Sequence, residues 1–427
     1  MTAIVSANAL AEAGGNRKRA TLGRPGTSTP MTTAKVLTSA RATTSGRVWF
    51  AGLVLMGALQ AQPLQLRPGV PLTSGATPLD VGDYAIPCVT DWNGDGRKDL
   101  LVGYRYADKL ALFLNTGNDA APAFAGYVNL QANGTDIWVP GAGCGAPAPW
   151  VCDFDHDGNR DLLVGSGGDG TVAFFRNLGT NGAPVLARGT PLTLLNGDPV
   201  KITSLRATPY VHDWDEDGLA DVLCGAGDGT VFFFRNITTP ASPLFLPGVQ
   251  LQAGGSTLNL GARSVVRVCD WDGDGRKDVL GSSSTGVYWC RNTGSNPAPV
   301  LAAPVPLRVP NTSGSLVAIR TSDRMRLDLC DWNNDGVVDL LLGNTDGTVA
   351  FYESYVFAVT SFTVRTNAQV ILRWNSAPYV RYGILTGPKP DAVRDAVAAG
   401  LASGGRTTSW TNYFLTRMQF FQVQFGP

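Results

Sequence analysis

From residue 64 to about residue 355 the chain alternates short apolar runs with polar, glycine-rich breaks. Runs such as LLVG at 100–103 and again at 162–165 are too short for a helix and suit buried strands. Each of three Asp-Gly pairs opens a β-branched and aromatic run: TVAFFRN (171–177), TVFFFRN (230–236) and TVAFYES (348–354). Asp-Gly before such a run reads as a hairpin turn entering a strand. An outer-strand phrase then follows: PVLARGTPLTL from Pro184, PLFLPGVQLQA from Pro243 and PVLAAPVPLRV from Pro299. The pattern predicts an all-β chain of many short strands, and 51 Gly and 27 Pro in 427 residues supply the turns.

The pattern is also periodic. DWNGDGRKDLLVG from Asp91, DFDHDGNRDLLVG from Asp153, DWDEDGLADVLCG from Asp213, DWDGDGRKDVLGS from Asp270 and DWNNDGVVDLLLG from Asp331 align without gaps. Their spacing, near 60 residues, suits one four-stranded blade with its connections. LQLRPGVPLTS from Leu64 matches the outer-strand phrase, and the fifth unit stops near Tyr355 without one. Leu64–Leu72 is therefore expected to pair antiparallel with Thr348–Glu353 and close a five-bladed β-propeller over residues 62–355.

Each loop carries side-chain oxygens at positions 1, 3, 5 and 9. Position 1 is Asp91, Asp153, Asp213, Asp270 or Asp331, and position 3 is Asn93, Asp155, Asp215, Asp272 or Asn333. Position 5 is Asp95, Asp157, Asp217, Asp274 or Asp335, and position 9 is Asp99, Asp161, Asp221, Asp278 or Asp339. Acids this close repel unless a cation sits among them, and a calcium ion, taking about 6–8 oxygen ligands, suits the set. Gly at position 6 allows the turn, and position 7 (Arg97, Asn159, Leu219, Arg276, Val337) is expected to lend a carbonyl. No Glu stands at position 12, and an apolar strand begins at position 10, so the loop is not an EF-hand. Up to five calcium ions are expected, structural in role. The aromatic at position 2 is read as a plug between blades. Cys152, Cys269 and Cys330, just before position 1, read as small packing residues, with a local Cys144–Cys152 disulfide as the alternative.

These units resemble the FG-GAP/VCBS repeats of extracellular β-propellers, including those of integrin α-chains and secreted bacterial proteins. The resemblance implies a secreted, calcium-bound scaffold for binding, adhesion or display. Some polysaccharide-degrading enzymes also use such propellers, so a lyase or hydrolase is the alternative.

Residues 48–59, VWFAGLVLMGAL, follow Arg41 and Arg47 and precede Ala61. They read as a signal peptide cleaved after Ala61, with 1–61 a leader and either Met1 or Met31 the start. The run is too short to span a bilayer, so a secreted or extracellular chain without a membrane span is expected. Removing 1–61 leaves 27 basic against 33 acidic residues, which does not suit nucleic acid as a partner. Residues 356–427 predict a small β-sandwich, similar to fibronectin III or Ig-like modules, with a helical turn or two over Pro390–Gly400. Neither His156 nor His212 makes a convincing base, and no catalytic residue is assigned. Trp138 and Trp150, in the irregular connection 132–150, are the candidate ligand contacts for an extracellular glycan or protein.

Overall fold

The computed structural model describes residues 2–5, 33–34, 36–38, 64–105, 107–139, 146–364, 369–387, 395–413 and 419–425. Among them there is no helix, and the chain is all-β. Val48–Leu59 and the cleavage point after Ala61 lie outside the described residues, as does Cys144. Two compact units form: Gly69–Val309 with Ala318–Ser354, and Met1–Pro68 with Pro310–Val317 and Tyr355–Pro427.

The first unit contains five four-stranded sheets. Their innermost strands are Ile86–Thr90, Ala148–Cys152, Thr208–His212, Val265–Cys269 and Arg326–Cys330. Each pairs antiparallel with a second strand that begins at position 9 of the loop, as in Thr90↔Asp99 and Cys269↔Asp278. The third strand and a two-residue outer strand follow in sheets one to four. In the fifth sheet the outer strand is Val70–Pro71, paired with Phe351 and Ala350. That pairing was expected over Leu64–Leu72; the ladder covers Val70–Pro71, Leu72 N donates to Val349 O at 2.8 Å, and Gln65 and Leu66 fall in the other compact unit. Three of the five outer strands carry a residue that limits their length. Pro71, Pro191 and Pro306 sit in them and have no N–H to extend a ladder, which confines proline to edges.

The innermost strands adjoin in cyclic order, the fifth meeting the first. Glycine at position 13 sets their spacing. A Cβ at Gly103, Gly165, Gly225 or Gly343 would lie 1.7, 2.1, 2.3 or 2.2 Å from the carbonyl oxygen of Pro147, Ala207, Ser264 or Ala85 in the next sheet. In the fourth sheet Ser282 stands there instead. Its hydroxyl donates to Met325 O and accepts from Leu327 N, so the contact becomes a pair of hydrogen bonds. The position-2 aromatics fill the rest of each seam. Trp92, Phe154, Trp214, Trp271 and Trp332 are all buried, and Trp92 packs with Leu162, Val164 and Phe175 of the second sheet.

Three residues before each loop, the side chains Cys88, Trp150, Tyr210, Arg267 and Asp328 form a layer across the axis. The Trp150 and Tyr210 rings are 4.5 Å apart, and the Arg267 guanidinium lies 4.7 and 5.4 Å from them. Arg267 Nε donates to Asp328 at 2.7 Å, and Asp328 accepts Val89 N of the first sheet at 2.7 Å.

The second unit holds the three-stranded sheet Val359–Val364, Gln369–Asn375 and Thr407–Tyr413. A second sheet sets Arg381–Gly387 between Asp395–Ala402 and Gln419–Phe425, and Thr2–Val5 and Val36–Thr38 pair with the last strand. Leu372, Trp374 and Trp410 of one sheet share a core with Tyr382, Ile384, Phe421 and Val423 of the other. The expected helical turn over 390–400 is not formed within the described residues. Asp395–Ala402 is a strand, because pairing with Arg381–Gly387 satisfies its backbone and outweighs the helical preference of its alanines.

The axial pair generates a test. Arg267 and Asp328 have side chains only 3% and 1% exposed. Asp328→Ala should cost about 3–5 kcal/mol in chemical denaturation, since it strands a buried guanidinium. Replacing both residues with leucine should cost less than the single change.

Candidate metal centres

The five Asp-rich loops share one hydrogen-bond scheme. The position-9 carboxylate is fully buried and holds two strands together. Asp99 accepts Trp92 N at 2.9 Å and Asn115 N at 2.7 Å. Asp221 accepts Trp214 N and Asn236 N at 2.9 and 2.8 Å, and Asp339 accepts Trp332 N and Ser354 N at 3.0 and 2.8 Å. The position-1 carboxylate accepts the N–H of Gly at position 6, as Asp213 does from Gly218 at 3.0 Å. In four loops it also accepts the N–H of position 5, as Asp331 does from Asp335 at 3.0 Å. Position 4 lies in the left-handed region throughout, with φ of 59° at His156, 56° at Glu216 and 59° at Asn334. That requirement is invisible in the varied side chains at this position.

Positions 1, 3 and 9 converge. Ligand oxygens of Asp153, Asp155 and Asp161 lie within 4.8 Å of one another, as do those of Asp213, Asp215 and Asp221, and of Asp270, Asp272 and Asp278. The position-5 carboxylate accepts the N–H of position 7, as Asp95 does from Arg97 and Asp157 from Asn159, both at 2.9 Å. Asp215 Oδ1 and Asp272 Oδ1 are buried without a hydrogen-bond partner. Orphaned carboxylate oxygens inside three converging acids fit a cation.

Sequence reading missed two sets of cations. Arg176, Arg235 and Arg291 each reach the position-3 carboxylate of their own sheet, at 2.7, 2.6 and 2.6 Å, and the position-5 carboxylate as well. Where position 3 is Asn, the equivalent residue is Leu114 or Glu353. An acid at position 3 thus comes with its own counter-charge. At position 8, Lys98 bonds Asp119 and Asn334, Arg160 approaches Asp91 at 3.5 Å, and Lys277 donates to Asp213 O at 2.9 Å. These side chains tie consecutive loops together.

Of the candidate ligand contacts, Trp138 is 62% exposed, whereas Trp150 is engaged in the axial layer. The described cysteines are free thiols, and burial raises their pKa.

Residues 213–280 and 270–342 match the model of the FG-GAP-like repeat family. The chain carries FG-GAP-like repeats. The matched segments include the third, fourth and fifth Asp-rich loops, and the same loop scheme recurs in the first two. No curated protein matches the sequence significantly. Among solved structures, a GH43_1 enzyme from Xanthomonas citri is similar at 12% identity, over 69% of this chain and 92% of that one, with TM-score 0.41. An exo-β-1,3-galactanase from Phanerochaete chrysosporium follows at 10% identity, 84% and 96% coverage, and TM-score 0.38. An Agrocybe aegerita protein that recognises non-reducing terminal N-acetylglucosamine matches at 14% identity, 77% and 85% coverage, and TM-score 0.30. At these TM-scores the likenesses say nothing about function.

Two predictions follow from the electrostatics of the FG-GAP-like loops. Burial pushes Asp161, Asp221 and Asp278 up to about 6 and Asp339 to about 7. Between the unfolded value near 4 and these folded values, the folded chain keeps protons that the unfolded chain has lost. Metal-free stability should therefore fall as pH rises from about 5 to 7. Asp95, Asp157 and Asp274 are held below the usual range and titrate under this window. A bound cation favours the ionised form, so melting curves with excess calcium should show the opposite slope. Arg235→Gln should tighten calcium binding at its loop by roughly threefold to tenfold, the scale of a half-exposed charge, in calorimetric titration.

Proposed function

We propose that the five sheets are the blades of a closed five-bladed β-propeller and that each FG-GAP-like loop holds one structural calcium ion. The ring serves as a secreted, non-enzymatic scaffold that presents a binding face to an extracellular glycan or protein. One observation carries the structural role of the metal. The same loop scheme recurs in all five sheets, while a catalytic ion needs only one site. The signal-like segment ending at Ala61 supports export; cleavage there removes Thr2–Val5 and Val36–Thr38 and leaves a module of the strands within Tyr355–Pro427, in keeping with a fibronectin III- or Ig-like module.

The calcium reading has a calculable consequence. At about ten times a dissociation constant of ~10⁻⁴–10⁻³ M, each ion adds roughly 1.4 kcal/mol, and five add about 7 kcal/mol. That is comparable to the whole ~5–15 kcal/mol of a typical domain. Chelator should lower the melting temperature steeply, and Asp155→Ala or Asp272→Ala should each remove one site and part of the shift. An unchanged melting temperature in chelator would defeat this reading. A glycan and polysaccharide screen read for both capture and turnover tests the scaffold role. Capture without turnover is expected, and turnover would favour the lyase or hydrolase alternative.

A further inference from the structure

The Asp-rich loops leave the innermost strands at their C-terminal ends. At the N-terminal ends the ring axis collects arginine. Seven residues before each loop stand Tyr84, Ala146, Arg206, Arg263 and Arg324. Tyr84, Arg206 and Arg263 take positive φ values of 51°, 56° and 63°, which an L-residue adopts only under constraint. Such strain gathers where side chains must be aimed.

Two residues deeper, Arg326 is 7% exposed. Its guanidinium donates to the carbonyls of Arg263 at 2.7 Å and Met325 at 3.2 Å. Among the described residues no carboxylate lies within ion-pair distance of it. The Nε atoms of Arg263 and Arg324 are buried without a hydrogen-bond partner. Asp323 lies 3.8 Å from Arg324 Nε with its side chain 68% exposed, and Asp83 is taken up by its ion pair with Arg105. Arg324 and Arg105 both lie 4.0 Å from the centre of the Tyr84 ring, which fixes the direction of Arg324. Burial, followed by repulsion from Arg263, Arg324 and Arg206, draws the Arg326 pKa down to about 9. Arg263, Arg324 and Arg326 lie near enough to repel one another, and with Asp83 engaged by Arg105 and Asp323 largely solvated they leave an excess of positive charge. Guanidinium forks match the oxygens of tetrahedral oxyanions.

We infer that this end of the ring axis is a binding site for a tetrahedral dianion, a sulfate or phosphate group carried by a ligand. Arg263 and Arg324 grip its oxygens, and Arg326 supplies charge from beneath. The site uses none of the calcium ligands, so its failure would leave the calcium scaffold standing.

The test is calorimetric titration of the full, calcium-loaded chain with sodium sulfate at constant ionic strength. Acetate serves as the monoanion comparison, and galactose 6-sulfate and glucose 6-phosphate as the two ester sources. Sulfate is expected to bind at least tenfold more tightly than acetate, and the Arg263→Gln, Arg324→Gln double variant to lose at least tenfold. The tighter ester identifies the source of the group. Because the variant could misfold, crystals of the unmodified chain soaked in selenate provide a second measurement. An anomalous selenium peak between Arg263 and Arg324 is expected. Sulfate binding no tighter than acetate, undiminished binding by a folded double variant, or selenate only elsewhere would overturn the inference.

Discussion

The close approach of each sheet to the next at position 13 is the constraint on which the ring depends. With no Cβ at Gly103, Gly165, Gly225 or Gly343, a backbone carbonyl of the following sheet can rest against the second strand. Any side chain there would push consecutive sheets apart, and the error would accumulate around the circle. Ser282 shows the one substitution tolerated, because its hydroxyl bonds to the groups it displaces. That spacing lets the position-2 aromatics seal the seams and brings Trp150, Tyr210, Arg267 and Asp328 together on the axis.

The Asp-rich loops solve a second problem, that of turning the chain between the innermost and second strands with buried acids. The position-9 aspartate is a structural acceptor first. It gathers two backbone N–H groups and ties the loop to the end of the third strand. Positions 1 and 3 then lie beside it, and their mutual repulsion is only partly offset by backbone N–H groups. A cation there would complete this balance. In the second, third and fourth sheets an arginine just after the third strand shares the task, so those loops depend less on a metal than their acid count implies.

Much of this was legible in the sequence. The all-β character and the repeat followed from short apolar runs and Asp-Gly turns. Spacing also picked out the acids at positions 1, 3 and 9 that converge in the second, third and fourth loops. The permuted outer-strand phrase located the pairing of Val70–Pro71 with the third strand of the fifth sheet.

What the sequence determined by itself was local: strand against turn, and which oxygens share a loop. These depend on side-chain period and turn chemistry within about a dozen residues. Only the tertiary structure decided the rest. Arg235 meets Asp215, and Arg267 meets Asp328 61 residues away, because strand order and sheet spacing bring them together. Asp395–Ala402 became a strand because a neighbour offered hydrogen bonds that its own residues do not specify. Arg263, Arg324 and Arg326 look like ordinary surface charges in the sequence. They become one group only when the sheet order brings Arg263 of one repeat beside Arg324 and Arg326 of the next.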